Sequence, residues 1–185
     1  MTHWRVKGTC AEVADLLEGA GDLPRWWPSV YLEAKVHESG QPNALGDKVE
    51  LHTKGWLPYT LHWEFTVVEQ RHPYGFTIEA RGDFVGRGRW TFEQDGEFVN
   101  VTYDWNLHAE KPLLRRLTPL LRPIFSANHR WAMRMGERSL ELELARRHAA
   151  SERERELVPA PPAPTFYRPN SYSDRARRAG RRRYS

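Results

Sequence analysis

Tyr59-Thr60-Leu61-His62-Trp63-Glu64-Phe65-Thr66-Val67 alternates strictly, with large apolar side chains at the odd positions and polar groups between them. Successive side chains of a strand point to opposite faces. A period of two with one apolar face therefore describes a strand wet on one side and covered on the other. The period recurs in Phe76, Ile78 and Ala80, in Trp90 and Phe92, and in Val99, Val101, Tyr103 and Trp105. Arg71-His72-Pro73-Tyr74-Gly75 separates one pair of these segments, and Asp95-Gly96-Glu97 has hairpin-turn chemistry. Gly82, Gly86 and Gly88 fall on the inward side, where missing side chains let a strand coil and leave room for a guest. Aromatic rings dominate the covered face throughout.

Upstream, residues 3–8 read as a short edge strand. Thr9-Cys10-Ala11-Glu12 is a capping box that opens a helix with Val13, Leu16 and Leu17 at helical spacing, ending at Gly19 and Gly21. Asp22 and Pro24 open a second short helix that stops before Pro28. Residues 30–38 and 48–53 read as two strands joined by the polar loop 39–43. From Pro112 the period becomes helical. Thr118 is placed as a cap with Pro119 in the turn after it, and Pro123 as a point of tightening. Leu117, Leu121, Ile124, Asn128, Trp131, Met135 and Leu142 trace one face of this helix, and Arg130, Arg134, Glu137, Arg138 and Glu141 lie largely off it.

The chain has 185 residues, 39% of them hydrophobic, with a formal charge of +4. The excess charge is concentrated at the end: residues 151–185 hold nine arginines against four acidic residues, and residues 1–150 are close to neutral. The sequence thus divides into a domain over 1–150 and a disordered Pro- and Arg-rich basic tail over 151–185. The folded part shows no basic stripe of the kind nucleic acids need, so no stable nucleic-acid complex is expected. No apolar run approaches the roughly 20 residues of a membrane span, and the first residues lack the core of a signal peptide, which suggests a cytoplasmic protein. The single cysteine, Cys10, excludes an internal disulfide. No His or Cys spacing suits a metal, and no nucleophile elbow, phosphate loop or dinucleotide fingerprint is present, so no cofactor is expected.

The order of strand, two short helices, six strands and a long helix resembles the helix-grip fold of the START-like, or SRPBCC, superfamily, and within it the polyketide cyclase/dehydrase and lipid-transport group. The resemblance is carried by the segments 23–30, 46–47, 54–59 and 82–90, by Lys111-Pro112 and by Asn128-His129-Arg130-Trp131-Ala132-Met133. It implies an α+β domain in which a curved antiparallel sheet of about seven strands wraps a C-terminal helix. It also implies a small hydrophobic or aromatic ligand, or a lipid, held between sheet and helix. Some such proteins bind and carry, and a minority cyclise or dehydrate the bound molecule, so the enzyme question stays open and leans toward no.

The candidate lining residues are Tyr59, Trp63, Phe76, Trp90, Phe92, Tyr103, Trp105, Asn128 and Trp131, with Trp26 and Trp27 at the mouth. Each ring either fills the core or lines a pocket. Asn128, on an apolar face, needs either a backbone partner or a ligand head group. His129 is a weaker candidate, because adjacent helix positions point about 100° apart. Asp83 is read as an ion-pair partner for Arg81 or Arg87 before a base. Cys10 is read as a buried thiol before a helix-terminus thiolate. The arginines of 175–183 either stay solvated or make weak, salt-sensitive contacts with acidic lipid or nucleic acid.

Overall fold

A computed structural model describes residues 1–39, 44–109 and 112–166, with the side chains of 107–122 outside the described set. The capping box forms as its residue types dictate. Thr9 Oγ1 accepts from the Glu12 N–H at 3.3 Å, and the Glu12 carboxylate accepts from the Thr9 N–H at 2.8 Å, which starts α1 (Cys10–Glu18). β1 (Thr2–Lys7) precedes it. A 3-10 turn (Ala20–Asp22) and α2 (Leu23–Trp26) follow. Asp22 stands before α2 as expected but makes no side-chain cap; its carboxylate pairs with Arg25 instead.

The strands are β2 (Tyr31–His37), β3 (Lys48–Lys54), β4 (Thr60–Gln70), β5 (Gly75–Gly82), β6 (Phe84–Asp95) and β7 (Phe98–Ala109). They form one antiparallel seven-stranded sheet in the order β1-β7-β6-β5-β4-β3-β2. β1 and β2 are consecutive strands placed at opposite edges, so α1 and α2 must cross the whole sheet to connect them. They cross on the curved inner face. The alternation read in the sequence is obeyed there: Trp63, Phe65, Phe76, Ile78, Trp90, Phe92, Val101 and Tyr103 are buried, and Glu64, Glu79, Arg87 and Arg89 are not. This is the helix-grip architecture.

The last long helix, α3 (Pro112–His148), closes over α1 and α2 and against β1. It runs unbroken through Thr118, Pro119 and Pro123, so Thr118 is not its cap. Its inward stripe differs from the apolar trace in the sequence. Ile124, placed inward by spacing, is 41% exposed. Met133, Gly136, Ser139, Leu140, Glu143 and Leu144 are buried. Gly136 is where the helix meets α2. A Cβ there would overlap the indole of Trp27, only 2.6 Å from Cε2. Two turns further, the nearly buried Glu143 carboxylate accepts from Arg25 Nη2 of α2 at 2.9 Å, with Arg146 and Arg147 each 3.7 Å away. One ring contact and one ion network therefore set the spacing of α3 over α2.

The structure continues beyond the expected domain boundary at 150. Ser151 caps α4 (Glu152–Leu157) by accepting from the Glu154 N–H, and residues 158–166 then return along the fold. The carbonyls of Val158 and Pro159 accept from Arg146, and the Thr165 hydroxyl donates toward the carbonyls of Gly55 and Trp56 at 3.4 and 3.5 Å. Residues 151–166 thus have a defined course where composition alone suggests a free tail; 167–185 lie outside the described residues, as do Gly40 to Asn43.

Gly136→Ala separates two opposed effects. In an exposed helix the change would stabilise by about 1 kcal/mol through propensity. Over Trp27 it should instead destabilise by about 1–3 kcal/mol through overpacking. The sign of the shift in urea midpoint, at unchanged slope, reads out which effect wins.

Candidate functional site

The inward rings form one connected system. Trp90 stacks on Tyr103 at 3.8 Å between centroids, with Phe76 on its other flank at 6.2 Å and Phe92 next in line. Trp4 of β1 meets both Trp90 and Trp27, at 5.4 and 5.6 Å, and Trp27 contacts Trp26 and Tyr31. In the other direction Tyr103 leads to Trp105 at 5.1 Å. Trp105 packs edge-on against Trp63 and Phe84, both at 5.9 Å. Beyond it, the His129 ring of α3 lies 6.0 Å from Trp105 and nearly parallel to it. Offset and edge-on pairs of this kind add about 0.5–1.5 kcal/mol each beyond the area they bury.

Solvent access varies along this system, and Tyr31 beside Trp27 is itself half-buried. Trp4, Trp26, Trp27, Phe76, Trp90 and Phe92 are sealed, with exposures of 1–5%. Trp26 and Trp27 are therefore not at a mouth; they plug the interior beneath Gly136. Tyr59, Phe84, Trp105, Asn128, His129 and Trp131 are only half-buried, and all of them belong to the end where β4 and β6 begin and α3 passes Asn128. Trp63 and Tyr103 sit at the boundary. The candidate lining set thus splits into a packed floor and an open end. The glycine gap contributes no guest space at Gly88, since a Cβ there would stand 2.8 Å from the Tyr103 hydroxyl, which already fills it. Phe84 and Tyr31 belong to the system and were not singled out from the sequence. Phe84 keeps the inward parity of Gly86, Gly88 and Trp90, which is the signal that marks it.

Polar groups at the open end are few. Asn128 Oδ1 accepts from the Leu57 N–H at 3.3 Å, and its side chain rests on Gly55 so closely that no Cβ fits there. Asn128 therefore finds the backbone partner its burial demands, in the 55–58 loop. His129 faces the rings, and burial lowers its pKa, helped by the N-terminal ammonium group and Arg130. Burial also raises the phenols of Tyr59, Tyr31 and Tyr103, with the charge of Tyr31 adding to the last, so all three stay protonated donors near neutrality. Asp83 accepts from the His62 N–H at 3.0 Å. Cys10 is buried, and desolvation together with Glu93 raises its pKa, which favours the neutral thiol.

Two hollows lie elsewhere among the described residues. One of about 660 Å³ is on the outer side of the sheet, between Glu33, Lys35, Glu50, Glu64, Arg81 and the stacked pair His52 and His62. The other, about 310 Å³, lies between the Gly19–Asp22 turn and Val36, Val49, Phe65 and Val67. The described residues contain no cluster of three or more His, Cys, Asp or Glu able to hold a metal, and no helix long and apolar enough to cross a membrane. The arginine-rich stretch 175–183 lies outside the described residues.

The profile of the family described as polyketide cyclase / dehydrase and lipid transport matches residues 3–141. Among solved structures, the Zhui aromatase/cyclase from Streptomyces sp. R1128 superposes with a TM-score of 0.60 at 19% identity, over 82% of this chain and 95% of its own. TTHA0849 from Thermus thermophilus gives 0.58 at 14% identity, over 80% of this chain and 97% of its own. Protein Ms6760 from Mycobacterium smegmatis gives 0.53 at 14% identity, over 79% and 90%. At such identities these likenesses establish the fold. No curated protein matches the chain.

His129 also sets a pH dependence. Its folded-state pKa is lowered from 6.5, so below that pH the unfolded chain takes up the proton first. The contribution to stability is whole above about pH 6.5 and is lost as the pH falls through the folded-state value. His129→Gln should therefore flatten the decline in melting temperature between about pH 7 and pH 5 relative to the parent. Parallel curves would place the imidazole in water.

Proposed function

The chain belongs to the polyketide cyclase / dehydrase and lipid transport family of the START-like superfamily, and from that membership we propose that it holds a small, flat, apolar molecule at the open end of its ring-lined interior. The observation that supports this reading is the group of half-buried rings gathered at one end of the ring system. Tyr59, Phe84, Trp105 and Trp131 keep apolar surface in water there, while the rings behind them are sealed. Covering about 200 Å² of such surface releases on the order of 5 kcal/mol before ordering costs, enough for useful affinity without a charged anchor. The Tyr59 hydroxyl and the Asn128 amide would then orient carbonyl or phenol groups rather than supply most of the binding. The sealed floor limits the guest to the outer part of the interior.

A second reading, cyclase or dehydratase chemistry on the same ligand, draws support from His129. Its ring lies against Trp105, and its lowered pKa keeps it neutral near pH 7 and able to accept a proton from a bound molecule. The protonated phenol of Tyr59 would supply the complementary donor.

Native mass spectrometry of gently purified protein should reveal a co-purified apolar compound. Trp105→Ala should weaken binding of the probe 1-anilinonaphthalene-8-sulfonate by about tenfold, the loss expected for one well-packed ring. Phe92→Ala, on the sealed floor, should instead cost about 3–5 kcal/mol of stability with little selective effect on the probe. A parent protein that carries nothing and binds no probe would end the ligand reading. Turnover unaffected by His129→Gln would end the second.

A further inference from the structure

The C-terminal segment that returns along the fold has no role in the readings above. Its two ends are fixed differently. At its start, the carbonyls of Val158 and Pro159 accept from Arg146, whose guanidinium is also held near the buried Glu143. At its end, the Thr165 carbonyl accepts from the Lys54 ammonium, and the Thr165 hydroxyl reaches the carbonyls of Gly55 and Trp56. Arg146 to Asn128 spans about 27 Å of α3 at 1.5 Å per residue. Seven extended residues at about 3.1 Å each cover roughly 22 Å. The segment therefore runs antiparallel to the second half of α3 and lands on the loop that Asn128 holds.

Between the anchors stand Pro161, Pro162 and Pro164, with Pro159 just before them. Proline has no N–H to donate, so this stretch cannot join a strand ladder, yet its restricted backbone loses little entropy on docking. The bonds from the Thr165 hydroxyl are long, at 3.4 and 3.5 Å. Beneath the landing point lies Lys54, only 5% exposed, and no carboxylate is paired with it among the described ion pairs. An ammonium group shielded from water with a neutral carbonyl as its described acceptor is poorly solvated, and lifting the segment would return it to water. The hydrogen bonds broken on release are thus offset by renewed hydration of the ammonium, which is the condition for an element that opens locally without unfolding the domain.

We propose that residues 158–166 are a releasable strap, latched at Arg146 and at Lys54–Trp56, that holds the 55–58 loop against Asn128 and so controls entry to the open end. The loop has two sets of holds: the strap from outside and the Asn128 amide from α3. Release of the strap leaves the second among the described contacts. The entry function rests on the reading of the open end as a ligand site; the latch itself does not.

The test compares the full chain with a chain ending at Leu157 and with Thr165→Val, which replaces the hydroxyl by a methyl group and leaves the backbone carbonyl in place, with near-UV circular dichroism confirming that each is folded. Acetylation of Lys54 by an amine-reactive ester, read by peptide mass spectrometry, reports the latch. Stopped-flow mixing with 1-anilinonaphthalene-8-sulfonate reports entry. In the shortened chain Lys54 should acetylate, and the probe should enter, about fivefold faster or more, with Thr165→Val intermediate; fivefold is the factor for about 1 kcal/mol, roughly one net hydrogen bond. Equal acetylation in all three proteins overturns the latch. Faster acetylation with unchanged probe association overturns the gate. Failure of every protein to bind the probe would instead remove the ligand site and the gate with it, while the acetylation rates still decide whether the latch exists.

Discussion

The placement of the long helix over the sheet depends on the contact between Gly136 and Trp27. Two strands adjacent in the chain lie at opposite edges of the sheet, so the connection must cross its inner face. It ends there on a pair of indoles. The long helix can settle on that crossing only where it has no side chain. Gly136 supplies the place, and the backbone rests directly on the Trp27 ring. Buried indoles of this size remove roughly 150–250 Å² each from water, about 4–6 kcal/mol per ring before entropy costs. The energy that fixes the helix over the sheet is therefore the same energy that fills the space under it at this end.

That trade decides which part of the interior is solid. With Trp4, Trp26, Trp27 and Trp90 packed together, the interior behind Gly136 is floor. Eight residues earlier, about two turns along α3, Asn128 rests on Gly55 and binds the Leu57 amide, so the helix meets a loop instead of a ring stack. A loop held by few bonds is the more deformable wall. The half-buried rings of Tyr59, Phe84, Trp105 and Trp131 gather on that side, and so does the imidazole of His129. The buried Glu143, tied to Arg25 on α2 and lying near Arg146 and Arg147, couples the rigid end to the start of the C-terminal strap. The strap then carries that connection back to the deformable loop.

Much of the architecture was legible in the residues. The two-residue period identified the four central strands and their covered face, the Thr9–Glu12 box marked the start of α1, and Asp95-Gly96-Glu97 marked the last hairpin. In these cases the signal is local, because strand parity and end-capping depend on neighbours only a few positions away. The rings of Trp63, Phe76, Trp90, Phe92 and Tyr103 lie buried on the inner face, as their strand parity implies. Their division into floor and open end was not readable, and Trp26 and Trp27 show why: their positions beside a turn suggest a rim, and only contact with a helix more than 100 residues later makes them a plug.

The helix stripe makes the same point from the other side. A search for apolar spacing selects Ile124 and passes over Gly136, Ser139 and Glu143, because burial is assumed to follow hydrophobicity. Here a glycine is buried because a ring needs its place, and a glutamate because arginines surround it. The Pro-rich end likewise has the composition of a free tail, and its course is set by Arg146, Lys54 and Thr165. Sequence by itself determined which face of each strand is covered and that a helix would cover it, since those follow from short-range periodicity. Which part of that face is solid, which is open, and what crosses above it were decided only by tertiary contacts, because each depends on the fit between residues that the chain places far apart.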